Sequence, residues 1–502
     1  MQNILSRSIP EGSIPERIEV PGKEIFELPE KVLQFGTGVL LRALPDYYID
    51  KANKRGIFNG RVVVVKTTDL GSTESFQRQD SLYTQKLMGI EHGIHVEKTI
   101  INASISRVLS ASKDWEAVLA CAENPAMELV ISNTTEIGLV LDAEDKILNS
   151  PPKSFPGKLL AFLYRRYHFF QGNSHKGMII IPTELIPENG KKLREIILTL
   201  AQLNQMEDDF INWLIAHNHF CDSLVDRIVP GKPDGQHMAE EEQLLGYRDE
   251  LFVVSEVYGL WAIAADLAIV KDILSFSQID NGVIIAPDIR KFRELKLRLL
   301  NATHSLVCGI AVLSGIETVK DAMENEDMRK LIQDIMNQEI IPSIIGDDIS
   351  LQEANEFANQ VLDRFRNPYI EHKWINITLQ YSSKLKTRVV PVLQEYILRF
   401  NEVPNLIARG FAAHIQFMKS APATNGYTGK QESVEYPIND DNAAIYATHW
   451  KDNSNGIVKA ILGDLALWGS DLNELPGFTD KVNNWLNKSN FKLTPNNLFQ
   501  NS

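Results

Sequence analysis

The first half of the chain alternates short, uninterrupted apolar runs with helical periodicities. KVLQF (31–35), RVVVV (61–65), MELVIS (127–132) and GMIIIP (177–182) read as strands buried on both faces of one parallel sheet. Between the first two, LLRALPDYYIDKANKRG (40–56) carries a helical pattern closed by Gly56. Strand, helix and strand within about 35 residues is the size of a βαβ unit. From about Asp288 the pattern changes. Amphipathic helical segments follow one another through 328–345, 351–367 and 406–419, and strand-like runs nearly vanish. The chain is therefore expected to be α/β, with a sheet-containing domain over 1–287 and a mostly α-helical domain over 288–502. NGVIIAPDIRKF (281–292) fits either side of that boundary.

The helical half opens with KLRLLNATHS (296–305). Leu299, Thr303, Leu306, Ile310 and Leu313 recur at steps of three and four, the period of one apolar face. At about 100° per residue, Asn301 lies roughly 140° round from Lys296, with His304 between them. The three polar groups share one side of the predicted helix. Spacing alone makes that side a solvated face.

Composition narrows the partners. At 502 residues, 44% hydrophobic and 23% charged, the chain is an ordinary globular protein with room for two cores. A formal charge of -14 argues against general affinity for nucleic acid or an anionic membrane, but not against a small anionic ligand beside a local basic cluster. No run is long and apolar enough for a bilayer span, and the N-terminus lacks the apolar core of a signal peptide. The three cysteines, Cys121, Cys221 and Cys308, are far apart and fit a reduced cytoplasm. Oligomeric state is not legible.

QFGTGVLLRA (34–43) is the first chemical signal. Gly36 and Gly38 stand between a buried strand and a helix, where bare backbone lets a pyrophosphate approach the amides of the turn. Leu41 occupies the place of the third glycine of GxGxxG, and two glycines in a tight turn need no ligand. The candidate cofactor contacts are Gln34, Phe35, Gly36, Thr37, Gly38, Val39, Leu40, Leu41 and Arg42. At the end of the second strand, Lys66 could meet a 2'-phosphate, or Asp69 could accept the ribose hydroxyls from the loop.

Two further strands run directly into polar residues: Asn133, Thr134, Thr135 and Glu136 after one, Glu184 and then Asn189-Gly190 after the other. Strand carboxyl ends bind ligands in open α/β sheets, although a polar turn that caps a helix has the same composition. HNHFCDSLVDRIVP (217–230) gathers His217, His219, Cys221 and Asp222, but one short run without a second cluster does not supply a zinc shell. Asp226 either pairs with Arg227 or faces a substrate.

QFGTGVLLRA, VDRIVP and the Lys-x4-Asn-x2-His of KLRLLNATH together resemble the polyol-specific long-chain dehydrogenases, the mannitol dehydrogenase family. SNTTEIGL, IIPTELI, FCDSLVDRIV and RFRNPYIEH, in that order, are similar to the branch that interconverts D-altronate and D-tagaturonate, over about Lys31 to Pro391 and more weakly beyond. The resemblance implies a Rossmann-like N-terminal domain that binds NAD, with Asn133 and Thr134 among its contacts, and a helical catalytic domain that works without metal. It gives Lys296 the role of general acid/base, Asn301 that of oxyanion-stabilising amide, and His304 that of a substrate-hydroxyl ligand. Hydride transfer at a secondary alcohol needs those types, since the oxygen must lose or gain a proton while charge develops on it.

Two departures point to an acidic sugar. Glu184-Leu185-Ile186-Pro187 stands where mannitol dehydrogenases carry Asp-Asn-Leu-Pro, so a hydroxyl-binding Asn is replaced by Leu185. SSKLKTRVVP brings Lys384, Lys386 and Arg388 near the place of a substrate-binding Arg. Glu184, Asp226 and Lys384 are the candidate substrate contacts. Neighbouring activities in the family are fructuronate reductase and mannitol dehydrogenase. A catalytically silent dinucleotide sensor is the alternative from another class, and intact Lys296, Asn301 and His304 disfavour it.

Overall fold

The computed structural model describes residues 3–9, 12–68, 72–134, 138–424, 426–431, 434–452 and 456–488. The chain divides into two compact units, 1–88 with 95–289 and 89–94 with 290–502.

The first unit is built on six strands: β1 (Glu30–Phe35), β2 (Arg61–Lys66), β3 (Ile105–Ser110), β4 (Leu129–Ser132), β5 (Ile179–Pro182) and β6 (His219–Phe220). Their order is β3-β2-β1-β4-β5-β6, and every neighbouring pair is parallel. The four apolar runs of the sequence thus form the centre of one sheet. The order reverses between β1 and β4, which makes their carboxyl ends a ligand-binding crevice in sheets of this kind.

Both faces of the sheet are covered. Val32, Val62, Val64, Leu129 and Ile131 pack into one core with Leu44, Tyr48 and Ile49. Leu33, Phe35, Val63, Val65 and Val130 face the other way, onto Trp115, Leu159 and Phe162. Alternate residues bury in opposite directions, so the strands read as unbroken apolar runs. A second, three-stranded sheet joins Ser223–Asp226, Leu260–Ala264 and Val283–Ala286.

The predicted helix after β1 is two helices, α1 (Val39–Ala43) and α2 (Pro45–Asn53). Proline disfavours α geometry in the residue before it, and Leu44 leaves the helix at φ -127°, ψ -75°. The chain then turns through Gly56 at φ +67°. On the other face lie α3 (Trp115–Ala120) and α4 (Phe155–Phe169), and after β5 comes α5 (Asn189–Leu203).

The second unit is mainly helical and buries one large core through Leu299, Leu306, Ile310, Trp374, Tyr381 and Phe411. Its first helix, α6 (Arg290–Leu295), widens into a π-helix over Lys296–Ala302 and resumes as α7 (Thr303–Leu313). After α8 (Leu351–Phe365), the chain continues through α9 (Tyr381–Arg388) and α10 (Asn405–Phe417). Another π-helix, Ile335–Ile340, holds Glu339, whose buried carboxylate accepts from the amides of Leu406 and Ile407 at the start of α10, both at 2.7 Å. Burial pushes this carboxyl up to about 7.

The helical pattern did not announce a three-stranded antiparallel sheet, Ser420–Ala423, Gly426–Gln431 and Val434–Ile438. Its first strand is mostly exposed, so it lacks the apolar signature of the sheet in the first unit. What anchors it is Tyr436, stacked on Phe417 at 4.6 Å and donating to the Phe417 carbonyl at 3.0 Å. A Cβ at Gly429 would lie 2.3 Å from that ring, so this position requires glycine. Among the described residues no helix is long and apolar enough to cross a membrane.

Candidate active site

The turn after β1 leaves the sheet at its switch point. The Gly36 amide donates to the Val65 carbonyl at 2.9 Å, and Gly36 adopts φ +125°. A Cβ there would meet the Asn133 carbonyl at 2.8 Å, whereas one on Gly38 would meet nothing within 4 Å. Gly36 is therefore required by the fold, and Gly38 leaves open space on the outer side of the turn. Thr37, Val39 and Leu40 are half-buried along the same stretch, while Gln34, Phe35 and Leu41 are buried.

Arg42, expected among the cofactor contacts, is turned inward. Its guanidinium donates to the Leu251 carbonyl and lies 5.4 Å from the centre of the Tyr83 ring. A buried arginine needs partners, and Arg42 finds one acceptor and the Phe76 and Tyr83 rings in the interior of its own unit, its Nε unmatched among the described residues. Gln34 likewise faces the core, donating to the Asp46 carboxylate at 3.2 Å. Burial raises the Asp46 carboxyl to about 7. Lys66 bonds the Thr68 carbonyl of its own loop. Asp69, Thr135 and Glu136 lie outside the described residues.

At the carboxyl ends of β4 and β5 a closed network forms around Glu184. Its carboxylate accepts from the Thr134 amide at 2.9 Å, the Thr134 hydroxyl at 3.0 Å and the Ser132 hydroxyl at 3.1 Å. Burial raises its pKa, and these donors pull the other way. Asn133 donates to the carbonyl and hydroxyl of Thr183, both at 3.0 Å. Asn189 ties this loop to the next sheet, bonding the Glu184 carbonyl and both backbone groups of Ser223. Leu185 is exposed, and Asp226 is buried at the end of its strand. Arg227 pairs with no carboxylate among the described residues; it donates to the carbonyls of Ala43, Val257 and Tyr258. Among the described residues no three His, Cys, Asp or Glu side chains stand together as a metal site.

In the second unit the wheel drawn at α pitch fails. In an i→i+5 turn each residue advances by less than in an α-helix, so Asn301 comes round to nearly the bearing of Lys296. Both are half-buried. His304, just beyond the wide turn, is buried rather than solvated. Its ring stacks on Phe365 at 4.3 Å and meets His372 and Trp374 edge-on at 5.2 and 5.8 Å. Its Nε2 is buried with no hydrogen-bond partner among the described residues. Burial, then His372, Arg364, Arg388 and Lys384, hold its pKa well below the usual value, so the ring is neutral.

The cations that surround this ring come from α8 and α9. Lys384 and Arg388, four residues apart, share one face of α9, while Lys386 reaches beside Gly469. Lys384 donates to the Ile377 carbonyl at 2.9 Å, and Arg388 to the Ser305 hydroxyl at 3.1 Å. Ser305 in turn donates to the Asn301 carbonyl at 2.9 Å. No carboxylate pairs with Lys384 or Arg388 among the described residues. Burial lowers the pKa of each; for Lys384 the neighbouring Arg388 adds to it, while Cys308 and the Asp440 carboxylate, beyond ion-pair distance, oppose it. The sequence singled out Lys384 but missed Arg364, Phe365 and His372 as neighbours of His304. The only signal was the block RFRNPYIEH, which has no chemical spacing of its own.

Comparison with known proteins agrees with this architecture. Residues 30–272 match the mannitol dehydrogenase Rossmann domain, and 288–489 match the mannitol dehydrogenase C-terminal domain. The altronate oxidoreductase of Bacillus subtilis (strain 168) is 38% identical over 466 residues, 92% of this chain and 93% of that protein. The altronate oxidoreductase of Klebsiella pneumoniae (strain 342) is 35% identical over 475 residues, 93% and 95% of the two chains. Two solved structures share the fold. Mannitol 2-dehydrogenase of Pseudomonas fluorescens, in a ternary complex with NAD and D-mannitol, has a TM-score of 0.67 at 20% identity, covering 96% of each chain. A substrate-free D-sorbitol dehydrogenase has a TM-score of 0.75 at 21% identity, covering 95% of this chain and 96% of the other. The chain belongs to the mannitol dehydrogenase family.

Proposed function

We propose that the protein is an NAD-dependent altronate oxidoreductase that interconverts D-altronate and D-tagaturonate. The observation that carries this reading is the neutral His304 ring, its buried Nε2 unpartnered among the described residues, with Lys384 and Arg388 beside it lacking a carboxylate. A hydroxyl satisfies the imidazole and a carboxylate satisfies the cations, and a sugar acid carries both.

The first unit takes the cofactor. The open backbone at Gly38, the turn at Gly36 and the switch point between β1 and β4 fit a dinucleotide, held by Gly36, Thr37, Gly38, Val39 and Leu40 with Asn133 and Thr134. NAD, when bound, supplies the hydride acceptor. Lys296 takes the proton from the substrate hydroxyl on oxidation and returns it on reduction. The Asn301 amide donates to that oxygen as negative charge develops on it. His304 Nε2 bonds a neighbouring hydroxyl, and Lys384 with Arg388 holds the carboxylate. Glu184 positions Thr134 from behind.

Following the oxidation of reduced nicotinamide with a panel of keto-sugars tests the reading. Tagaturonate should give the highest kcat/KM, fructuronate less, and fructose little. Efficient reduction of fructose would overturn the sugar-acid assignment. A tenfold preference for NADPH over NADH would overturn the cofactor assignment and show that Lys66 governs.

A further inference from the structure

Beside His304 stands a second imidazole with no role so far. His372 follows α8 on a short extended stretch whose backbone is pinned on both sides. Its carbonyl accepts from the Val319 amide at 2.9 Å, and the Trp374 amide donates to Glu317 at 3.0 Å. The adjoining Lys373 forms an isolated bridge with Thr318. A pinned backbone fixes where the ring points, and the ring meets His304 edge-on at 5.2 Å with planes 78° apart. The ring is half-buried, and neither of its nitrogens bonds a described residue. The other buried imidazole among the described residues, His414, bonds the Tyr446 hydroxyl through Nε2 at 2.8 Å and leaves Nδ1 unmatched.

We infer that His372 is a substrate ligand that binds a hydroxyl of the sugar-acid chain adjacent to the one held by His304, and so sets the preference for polyhydroxy acids. A neutral imidazole offers one donor and one acceptor, and two set edge to face match a pair of neighbouring hydroxyls. Burial, then Lys384 and Arg364, lower the His372 pKa, which keeps the ring neutral. A charged ring there would compete with Lys384 and Arg388 for the carboxylate instead of reading hydroxyls. Phe365 and Trp374 also line His304, so His372 is the uncharged polar ring beside it, next to the cations Arg364, Lys384 and Arg388.

The inference rests on the sugar-acid reading, and its test separates the two. With wild type and His372→Phe, KM and kcat are measured on tagaturonate and on analogues each lacking one hydroxyl. The variant should raise KM about tenfold, the effect of one lost neutral hydrogen bond, with kcat changed far less. His372→Asn, which keeps a donor and an acceptor, should recover part of the loss. For one deoxy analogue, wild type and His372→Phe should have equal KM, because the lost partner is already missing. A purely structural role would raise KM equally for every analogue and would overturn the inference, as would an unchanged KM on tagaturonate. If the wild type prefers another keto-sugar acid, the altronate reading falls, and His372 is judged by the same KM ratios on that substrate.

Discussion

Two buried polar clusters, one in each unit, are built in opposite ways. Around Glu184, every donor has an acceptor: the carboxylate receives three hydrogen bonds, and the Asn189 side chain makes four. Around His304 the partners run short, with a buried Nε2 unmatched and two cations without a carboxylate among the described residues. A buried polar group left unmatched costs of order 1–3 kcal/mol, a cost that a ligand's hydroxyl or carboxylate would remove. The first cluster holds the scaffold in place. Under the proposed function, the substrate completes the second.

That contrast is most directly broken at Lys296. Lys296→Ala should lower kcat by roughly 10²–10⁴-fold, the range of general acid/base catalysis, with cofactor affinity by fluorescence titration unchanged. Near-normal turnover across pH would remove Lys296 from the chemistry.

Glu339 sharpens the contrast from within the second unit, because its partners are backbone amides and its effect should fall on stability alone. Its carboxyl, near 4.5 unfolded and about 7 folded, contributes stability that is complete below pH 4.5 and lost as pH rises through 7. The differential is on the order of 3 kcal/mol. In Glu339→Gln, thermal melts from pH 4 to 8 should fall less steeply than in the wild type by the share of Glu339, Asp46 keeping its own share, whatever the constant offset between the two proteins. Parallel curves would refute the assignment.

Lys384→Ala should weaken tagaturonate binding by roughly 2 kcal/mol, the low end for a charge pair because the ammonium is half-buried. The loss should appear in KM for sugar acids and not for fructose. Glu184→Gln tests the closed cluster. It should cost about 1–2 kcal/mol of stability in denaturant titrations while leaving KM for the sugar acid in place. A selective rise in KM would return Glu184 to the substrate. The smallest effect is expected from prolonged chelation, which should leave turnover unchanged; activity lost with stoichiometric zinc and restored by it would contradict a lysine-based proton transfer.

The central strands were legible because burial on both faces writes continuous apolar runs, and the βαβ spacing pointed to a parallel sheet; their order around β1 was not written there. The break at Leu44 was also written, in Pro45, but the helical period was allowed to run through it. The exposed strand at Ser420–Ala423 left no comparable pattern. In the site, spacing alone put Lys296, Asn301 and His304 on a solvated face, whereas His304 is buried and the other two are half-buried, since periodicity carries no information about a π turn. Arg42 was misread because sequence does not say to which side of a turn a long side chain folds. His372 was invisible: its position depends on a backbone pinned by Val319 and Glu317, more than fifty residues earlier by the numbering.

The wide turn at Lys296–Ala302 holds one residue more than regular helix would over the same sweep, because each residue of an i→i+5 turn advances by less than about 100°. Deleting one residue there would let the backbone close into regular α-helix with everything after it near its present bearing. His304 would stay by Phe365, and Leu306 and Ile310 would stay in the core. The segment is slack in the helix: taking it up leaves the later turns in phase.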